Sequence, residues 1–169
     1  PLSAARLLPP GSLVVLRARD AIRRAALAEA LMGVAHLRGL RVSIAGDPEL
    51  AARCGADGAH FPEARIAEVG HWRARHPHWL ITCAAHSLSA CARAGIARAD
   101  AAFVAPIFAT KSHPGRRTLG PFRARSIARA SPIPVYALGG IDDENAGRLA
   151  DGPFAGIAAV EGLTAGLDR

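Results

Sequence analysis

The chain has 169 residues, of which 50% are hydrophobic and 21% charged, so it is predicted to form one compact domain over residues 1–169. Its net charge of +7 rests almost entirely on arginines spread along the sequence, and without interleaved aromatic residues or a nucleic-acid-binding motif this charge does not indicate a nucleic-acid partner. No apolar run reaches the roughly 20 residues of a membrane-spanning helix, and the first residues lack the pattern of a secretory signal, so we expect a cytoplasmic protein without membrane association.

From residue 13 onward, short strand-like runs alternate with segments of helical periodicity. The predicted strands are 13–17, 41–45, 57–61, 79–83, 101–108 (including the entry to a loop), 133–140 and 154–160. The predicted helices between them are 21–38, 47–55, 63–77, 87–97, 121–130 and 142–150. Asp20, Asp47 and Ser87 stand at helix starts, where a side-chain oxygen accepts a hydrogen bond from a free backbone N–H, so we expect them to be N-caps.

This alternation of strand and helix predicts an α/β fold in which helices cover parallel strands, either a closed (β/α)₈ TIM barrel or an open doubly wound sheet. The short connections favour the barrel, and no G-x-G-x-x-G motif follows the first strand, as the dinucleotide-binding alternative would need. A closed barrel requires eight strands, and the sequence supplies seven. Since residues 1–11 resemble the end of a helix, we expect the first strand of the barrel to lie upstream of this fragment.

A polar loop and a glycine pair are the candidates for a phosphate site. In a TIM barrel the ligand binds at the carboxyl ends of the strands, and the last loops often hold a phosphate. Gly139 and Gly140 follow a predicted strand and can present bare backbone N–H groups to an anion. Thr110 and Ser112 add hydroxyl groups in the loop of residues 105–115, and His113 adds a possible cation. The alternative is that the glycines form a tight turn without a ligand.

Arginines and histidines stand at other strand ends of the same predicted face. Arg17 and Arg19 alternate after the first strand, so one of them is expected to point into the barrel mouth and bind pyrophosphate oxygens. The alternative is an exposed strand end. His60 and His86 are candidates for catalysis or for hydrogen-bonded structural positions, and the sequence does not assign the catalytic residues.

The cysteines and the remaining histidines predict no metal site. Cys54, Cys83 and Cys91 have no C-x-x-C spacing, so we expect buried free thiols. The histidines of "HWRARHPHW" straddle a helix end and a proline, and no carboxylate or cysteine completes a ligand set.

Four segments together resemble a known family: "GADGAHF", "AAHSLSACARAGIARADAAFVAPIFATKSHPG", "LG" at 119–120 and "IPVYALGGIDDENAGRL". Their order and spacing are similar to those of thiamine phosphate synthases and their thiazole tautomerase relatives, from about Leu13 to Leu163. The resemblance implies a (β/α)₈ barrel, usually a homodimer, that joins a pyrimidine methyl diphosphate to a thiazole phosphate with Mg²⁺ and releases pyrophosphate. It also implies that the loop after the fifth predicted strand covers the phosphates. The positions carried over are Thr110, Ser112, Gly139 and Gly140.

The chain departs from the family pattern at the metal and pyrimidine positions. The Gln-Leu-Arg-x-Lys signature falls on residues 15–19, which keep two cations and lose the amide. The Asn-Asp pair falls on Ala45 and Gly46, and a second acidic position falls on Arg65. Mg²⁺ prefers carboxylate oxygens, so we expect these changes to abolish or displace the magnesium site. The other departures are Ala84, Pro106, His113 and Glu161.

Two functional hypotheses follow from the resemblance. In the first, the chain couples the two substrates, and Arg17, Arg19, Arg65 and His113 replace the metal as a clamp of cations around the leaving pyrophosphate. In the second, it is a non-catalytic binder or sensor of a phosphorylated thiazole or of thiamine phosphate. An unrelated reaction on the same barrel is a third option, since a fold does not determine a function.

Overall fold

The structure is a computed structural model that describes residues 2–18, 20–110, 115 and 117–159. The strands are β1 (Leu13–Leu16), β2 (Arg41–Ala45), β3 (Gly58–Phe61), β4 (Leu80–Ala85), β5 (Ala101–Val104), β6 (Val135–Leu138) and β7 (Gly156–Ala158). The α-helices are α1 (Leu2–Leu7), α2 (Ala21–Arg38), α3 (Pro48–Cys54), α4 (Val69–Arg75), α5 (Leu88–Ile96) and α6 (Gly120–Ala130). Two 3₁₀ turns span Glu63–Glu68 and Ala146–Leu149.

All three predicted N-caps are confirmed, because each side chain accepts a hydrogen bond from the first turn of its helix. Asp20 Oδ1 accepts from the Arg23 N–H at 2.6 Å, and Asp47 Oδ1 accepts from the Leu50 N–H at 3.0 Å. Ser87 Oγ accepts from the Ala90 N–H at 3.2 Å. These local contacts determine where the helices begin after β1, β2 and β4.

The strands form one seven-stranded sheet in the order β1 to β7, and each strand is parallel to the next. Right-handed crossovers between neighbours in this order put the helices on one face, so the sheet must curl to bury its other face. His60 on β3 and Phe103 on β5 show the curl, since their ring centroids are 5.3 Å apart. Two strands apart in a flat sheet, they would be roughly 10 Å apart.

The predicted α/β fold and its barrel-like arrangement of parallel strands are confirmed. Within the described part of the chain, the sheet does not close, because the outer edges of β1 and β7 have no strand partner there. The eight-stranded closed barrel and its first strand upstream of residue 1 therefore stay predictions.

The two faces of the sheet differ in polarity. Strand residues such as Val42, Ile44 and Ile81 are fully buried in one cluster with helix residues that include Leu31 and Leu50. This layer between sheet and helices is the main core. The opposite, inner face carries the alternate residues Ser43, His60, Thr82, Phe103 and Tyr136. The polar side chains of the barrel interior are therefore held by a rigid apolar layer behind them.

The predicted helix over 142–150 is wrong. The structure has only the short 3₁₀ turn Ala146–Leu149 there, preceded by a turn in which Asp142 and Asn145 pair with each other's backbone. The Asp142 N–H donates to Asn145 Oδ1 at 3.2 Å, and the Asn145 N–H donates to Asp142 Oδ1 at 3.0 Å. Short polar side chains compete for backbone groups in this way and so oppose helix formation.

Two other predicted elements are shorter than expected. The helix over 63–77 begins with the 3₁₀ turn Glu63–Glu68, in which Arg65 has non-helical dihedrals, and only Val69–Arg75 is α-helical. The strand over 101–108 ends at Val104, because the chain turns into a loop at the cis peptide bond between Ala105 and Pro106. Both changes lie at the carboxyl ends of strands, where the loops differ most from regular structure.

The thiols are free, as predicted. Cys83 and Cys91 are buried, and Cys54 is partly buried. Burial raises the pKa of Cys83 to about 12, so its thiol stays protonated at neutral pH. Across the described ranges, no helix combines the length and the apolar character needed to cross a bilayer.

Candidate functional site: the carboxyl-terminal rim of the sheet

The glycine pair after β6 packs against the loop after β5. The Ile107 N–H donates to the Leu138 carbonyl at 3.1 Å, and the Phe108 N–H donates to the Gly139 carbonyl at 2.9 Å. Gly139 and Gly140 have φ values of +98° and +66°, a region that favours glycine. A Cβ atom on Gly140 would also lie 2.2 Å from a backbone oxygen of the β5 loop. The loop contact alone therefore requires glycine here.

The glycine N–H groups are nevertheless open. Those of Gly139 and Gly140 make no hydrogen bond to any described residue, and both glycines are partly exposed. The Gly140 carbonyl accepts from Asn145 Nδ2 at 2.8 Å, which holds the backbone in place. A tight turn and an anion-binding turn are thus compatible: packing fixes the conformation, and two N–H groups stay available.

The structure describes part of the predicted phosphate loop. Thr110 is partly buried and directly follows Ala109, whose carbonyl lies against Gly140. Thr110 and the glycine pair therefore belong to two loops in contact. Ser112, His113, Arg19 and Glu161 lie outside the described residues, so their predicted roles stay predictions.

His60 is held on the inner face of the sheet. Its Nδ1 lies 2.9 Å from Thr82 Oγ1 on the neighbouring strand β4, and its ring contacts Phe103. Burial, and secondarily the charge of Arg17, lower the pKa of His60 to about 4. At neutral pH His60 is therefore an uncharged imidazole that can accept or donate a hydrogen bond, and it adds no positive charge to the site.

Arg17 directly follows β1 and is exposed at the same rim. Its positive charge is the second cause, after burial, of the lowered pKa of His60. The orientation of an arginine toward the barrel mouth stays a prediction. Binding of pyrophosphate by Arg17 stays a prediction.

His86 has a structural position. Its Nδ1 lies 2.6 Å from the Ala105 carbonyl, which can only accept, so Nδ1 carries a proton. The His86 N–H donates to Glu63 Oε2 at 2.9 Å, and Glu63 also pairs with Arg93 at 3.2 Å. These bonds join the loops after β3, β4 and β5. Of the two alternatives for His86, the hydrogen-bonded structural position agrees with these contacts.

Arg65 links the loops after β2 and β3. Its Nη1 donates to the Gly46 carbonyl at 2.8 Å. Its Nε and Nη2 donate to the two carboxylate oxygens of Glu68 at 2.6 and 2.5 Å. The paired hydrogen bonds raise the pKa of Arg65 and lower the pKa of Glu68, so both stay charged at neutral pH.

The residues at this rim do not fit a magnesium ion. The resemblance puts its ligands at Gly46, which has no side chain, and at Arg65, which is a cation bonded to the Gly46 carbonyl. In the part of the chain that the structure describes, no group of three or more His, Cys, Asp or Glu residues could hold a metal. At the two positions that the resemblance assigns to its ligands, the described residues therefore supply no carboxylate for Mg²⁺.

Two polar residues near the site were missed from the sequence. Ser43 lies on the inner face, fully buried, and its Oγ has no hydrogen-bond partner among the described residues. The alternation in "RVSIA" was the available signal, since Ser43 stands between two residues that face the core. Arg24 on α2 pairs with Asp47 at 2.9 Å and donates to the Ala18 carbonyl at 3.0 Å. No local pattern marks that contact.

A curled parallel sheet with open glycine amides and arginines at one rim defines a class: barrel-like proteins whose ligand face lies at the carboxyl ends of the strands. Residues 3–163 match the family model TMP-TENI, described as thiamine monophosphate synthase. The chain belongs to this family, as the resemblance predicted.

Individual relatives agree with this assignment. The chain is 34% identical over 140 residues to thiamine-phosphate synthase of Deinococcus radiodurans, a match that covers 82% of this chain and 49% of the relative. It is 31% identical over 156 residues to thiamine-phosphate synthase of Chlorobium luteolum, covering 90% and 74%. Thiamine phosphate pyrophosphorylase from Pyrococcus furiosus has the same fold, with a TM-score of 0.81 at 20% identity over 99% of this chain and 85% of that one. The chain spans about half the length of several curated relatives that it matches.

Proposed function

We propose that the chain is a thiamine phosphate synthase-like protein of thiamine biosynthesis that couples a pyrimidine methyl diphosphate to a thiazole phosphate. The single observation that carries the proposal is the glycine pair after β6, whose two N–H groups have no hydrogen-bond partner in the described part of the chain while the β5 loop holds their conformation. Family membership supplies the substrate class. The names of the matched relatives support the reaction, and their greater length leaves it a proposal for this chain.

In this proposal the thiazole phosphate binds where the loops after β5 and β6 meet. The amides of Gly139 and Gly140 donate to phosphate oxygens, and Thr110 adds a hydroxyl, with Ser112 and His113 as further predicted ligands. Backbone donors held by packing lose little freedom on binding, so the site is pre-organised for an anion.

The pyrimidine diphosphate then occupies the opposite part of the mouth, near Arg17 and the inner face of the sheet. In the reaction the C–O bond to the diphosphate breaks, and pyrophosphate leaves with the electron pair. The thiazole nitrogen donates its lone pair to the methylene carbon, and a C–N bond forms. Negative charge that develops on the leaving group is offset by arginines, with Arg17 and Arg19 as the predicted ligands. Neutral His60 offers a hydrogen bond without repelling the positive carbon.

The second candidate function is a non-catalytic binder or sensor of a phosphorylated thiazole or thiamine phosphate. The observation that favours it is Arg65, a cation paired with Glu68 at a position where the resemblance expects an acidic residue. A binder needs the phosphate loop and has no need to stabilise a leaving group.

A coupling assay and a ligand-stability assay separate these functions. Purified protein is incubated with both substrates, with Mg²⁺ or with EDTA, and thiamine phosphate is measured. In parallel, the melting temperature is recorded with thiazole phosphate and with thiamine phosphate. Product formation supports coupling, stabilisation without product supports the binder, and neither result refutes both. The variant Thr110→Val should weaken binding, whereas the exposed control Thr118→Val should not.

We also propose, from the family, a homodimer that acts in the cytoplasm and an eighth strand that closes the sheet between β7 and β1. Light scattering of the purified protein tests the dimer. A longer version that includes upstream residues tests the strand, since closure should raise the melting temperature and protect the edge amides of β1 from hydrogen exchange.

A further inference from the structure

Arg65 joins two loops of the rim. It reaches from the 3₁₀ turn after β3 to the carbonyl of Gly46 after β2, at 2.8 Å. The Gly46 N–H in turn donates to the His60 carbonyl at 2.9 Å. The N–H and the carbonyl of Gly46 are thus both bonded to residues of the β3 segment, and the guanidinium supplies one of these two hydrogen bonds.

The surroundings of Arg65 are those of a cation among acids. Both carboxylate oxygens of Glu68 accept hydrogen bonds from the guanidinium. The charges of Glu49 and Asp47 act on it as well. Asp47 is itself paired with Arg24 at 2.9 Å and caps α3. Asp47 and Glu68 are therefore each paired with an arginine.

The guanidinium has capacity left for a ligand. It carries five N–H bonds, of which three are used by Glu68 and Gly46. The other two have no hydrogen-bond partner in the described ranges, and the side chain is 36% exposed. A guanidinium already held by three hydrogen bonds can donate its two remaining N–H bonds to phosphate oxygens with little further loss of conformational entropy.

We propose that Arg65 is a resident cation that replaces a divalent metal at this rim, so that the chain binds the pyrophosphate part of its ligand without Mg²⁺. Glu68 and the Gly46 carbonyl are the positioning groups, because they orient the guanidinium without contacting the ligand. This inference rests on the proposed function for the identity of the ligand, and it goes further by assigning one residue to the role of the metal.

The test uses inorganic pyrophosphate and the full chain. Calorimetric titrations are run in EDTA on the wild type, on Arg65→Ala and on Arg41→Ala. Arg41 is an exposed arginine at the opposite end of β2, so its variant has the same charge change away from the rim. We expect the wild type to bind without metal, Arg65→Ala to bind about tenfold or more weakly, and Arg41→Ala to match the wild type. Circular dichroism confirms that each variant is folded.

A second readout needs no pyrophosphate. Mn²⁺ is titrated into ¹⁵N-labelled wild-type protein, and broadening of the amide signals is followed. Selective broadening at Gly46 and Arg65 would show a metal at the rim and overturn the inference, as would pyrophosphate binding that requires Mg²⁺, equal binding by Arg65→Ala, or no binding at all. Metal-free binding that depends on Arg65, without thiamine phosphate in the coupling assay, would support the inference and refute the coupling function. Coupling that occurs only with Mg²⁺ would do the reverse.

Discussion

The carbonyl oxygen of Ala109 lies 2.2 Å from the point where a Cβ atom on Gly140 would stand. Gly140 also has a φ of +66°. Gly140→Ala should therefore lower the free energy of unfolding by about 2 kcal/mol, through strain and displacement of the β5 loop, and should weaken phosphate binding. Urea denaturation measures the first effect and calorimetry the second.

Gly147→Ala is the control for this substitution, because Gly147 lies in the same segment with open space around it and an ordinary φ. It should change neither stability nor phosphate binding appreciably. If Gly140→Ala were as stable as Gly147→Ala, the close contact between the two loops would be wrong.

The pKa of His60 predicts a pH dependence of stability. The folded state lowers this pKa from 6.5 to about 4, so between these values the unfolded state binds more protons. The free energy of unfolding should therefore be highest above pH 6.5. It should decrease as the pH falls toward 4, by at most about 3 kcal/mol, because the unfolded chain takes up a proton that folded His60 does not. Denaturation at a series of pH values, with an NMR titration of the ring, measures both quantities. His60→Gln should remove this part of the slope; an unchanged slope would assign it to other groups.

The contacts of Arg73 predict that its substitution will lower stability without changing phosphate binding. It is buried at the amino-terminal end of the sheet and donates to the Pro77 carbonyl at 3.0 Å, to the Trp79 carbonyl at 2.8 Å and to Asp100 at 2.5 Å. Arg73→Met should lower the free energy of unfolding by about 3 kcal/mol, because these acceptors lose their donor.

Arg75→Met is the matched control, since Arg75 is exposed on the same helix and its guanidinium lies 5.8 Å from the ring centroid of Trp72. Its effect should be below about 1 kcal/mol. At a temperature where Arg73→Met is folded, both variants should bind phosphate like the wild type. A binding defect in Arg73→Met alone would contradict the proposal that phosphate binds at the other, carboxyl-terminal end of the sheet.

Ser43 and Thr82 should respond in opposite ways to loss of their hydroxyl groups. Ser43 Oγ is buried and has no partner within the described ranges, so Ser43→Ala should leave stability unchanged or raise it by up to about 1 kcal/mol. Thr82 Oγ1 is the partner of His60 Nδ1, so Thr82→Val should lower stability by about 1–2 kcal/mol. Urea denaturation of the two variants measures the difference, and a large loss in Ser43→Ala would reveal a hydrogen bond that this geometry does not contain.

Most of the fold was predictable because its signals are local. Asp20, Asp47 and Ser87 each act within three residues of their own position, and the strand-like runs needed no knowledge of distant contacts. The helix predicted over 142–150 failed for a reason equally local. Its acidic start suits a helix dipole, yet Asp142 and Asn145 bond to each other's backbone instead. Composition alone does not decide which of the two occurs.

The candidate site was only partly predictable because its geometry depends on contacts between loops. The glycine pair was visible in the sequence, but its need for glycine arises from Ala109, some thirty residues away. Arg65 was flagged as an unusual cation, whereas its bond to Gly46 joins loops 19 residues apart. The alternation in its strand indicates that Ser43 faces inward, whereas its neighbour Gly58 on β3 is known only from the register of the sheet.

The strand order has a consequence for how the molecule reaches its native state. Every described strand pairs with its neighbours along the chain, so the backbone contacts are of low sequence separation for a parallel sheet. Assembly can therefore advance one strand and helix at a time, much as in a solenoid. The loops at the rim lie outside these strand pairings, so we expect a substitution there, for example at position 65, to change the folding rate little.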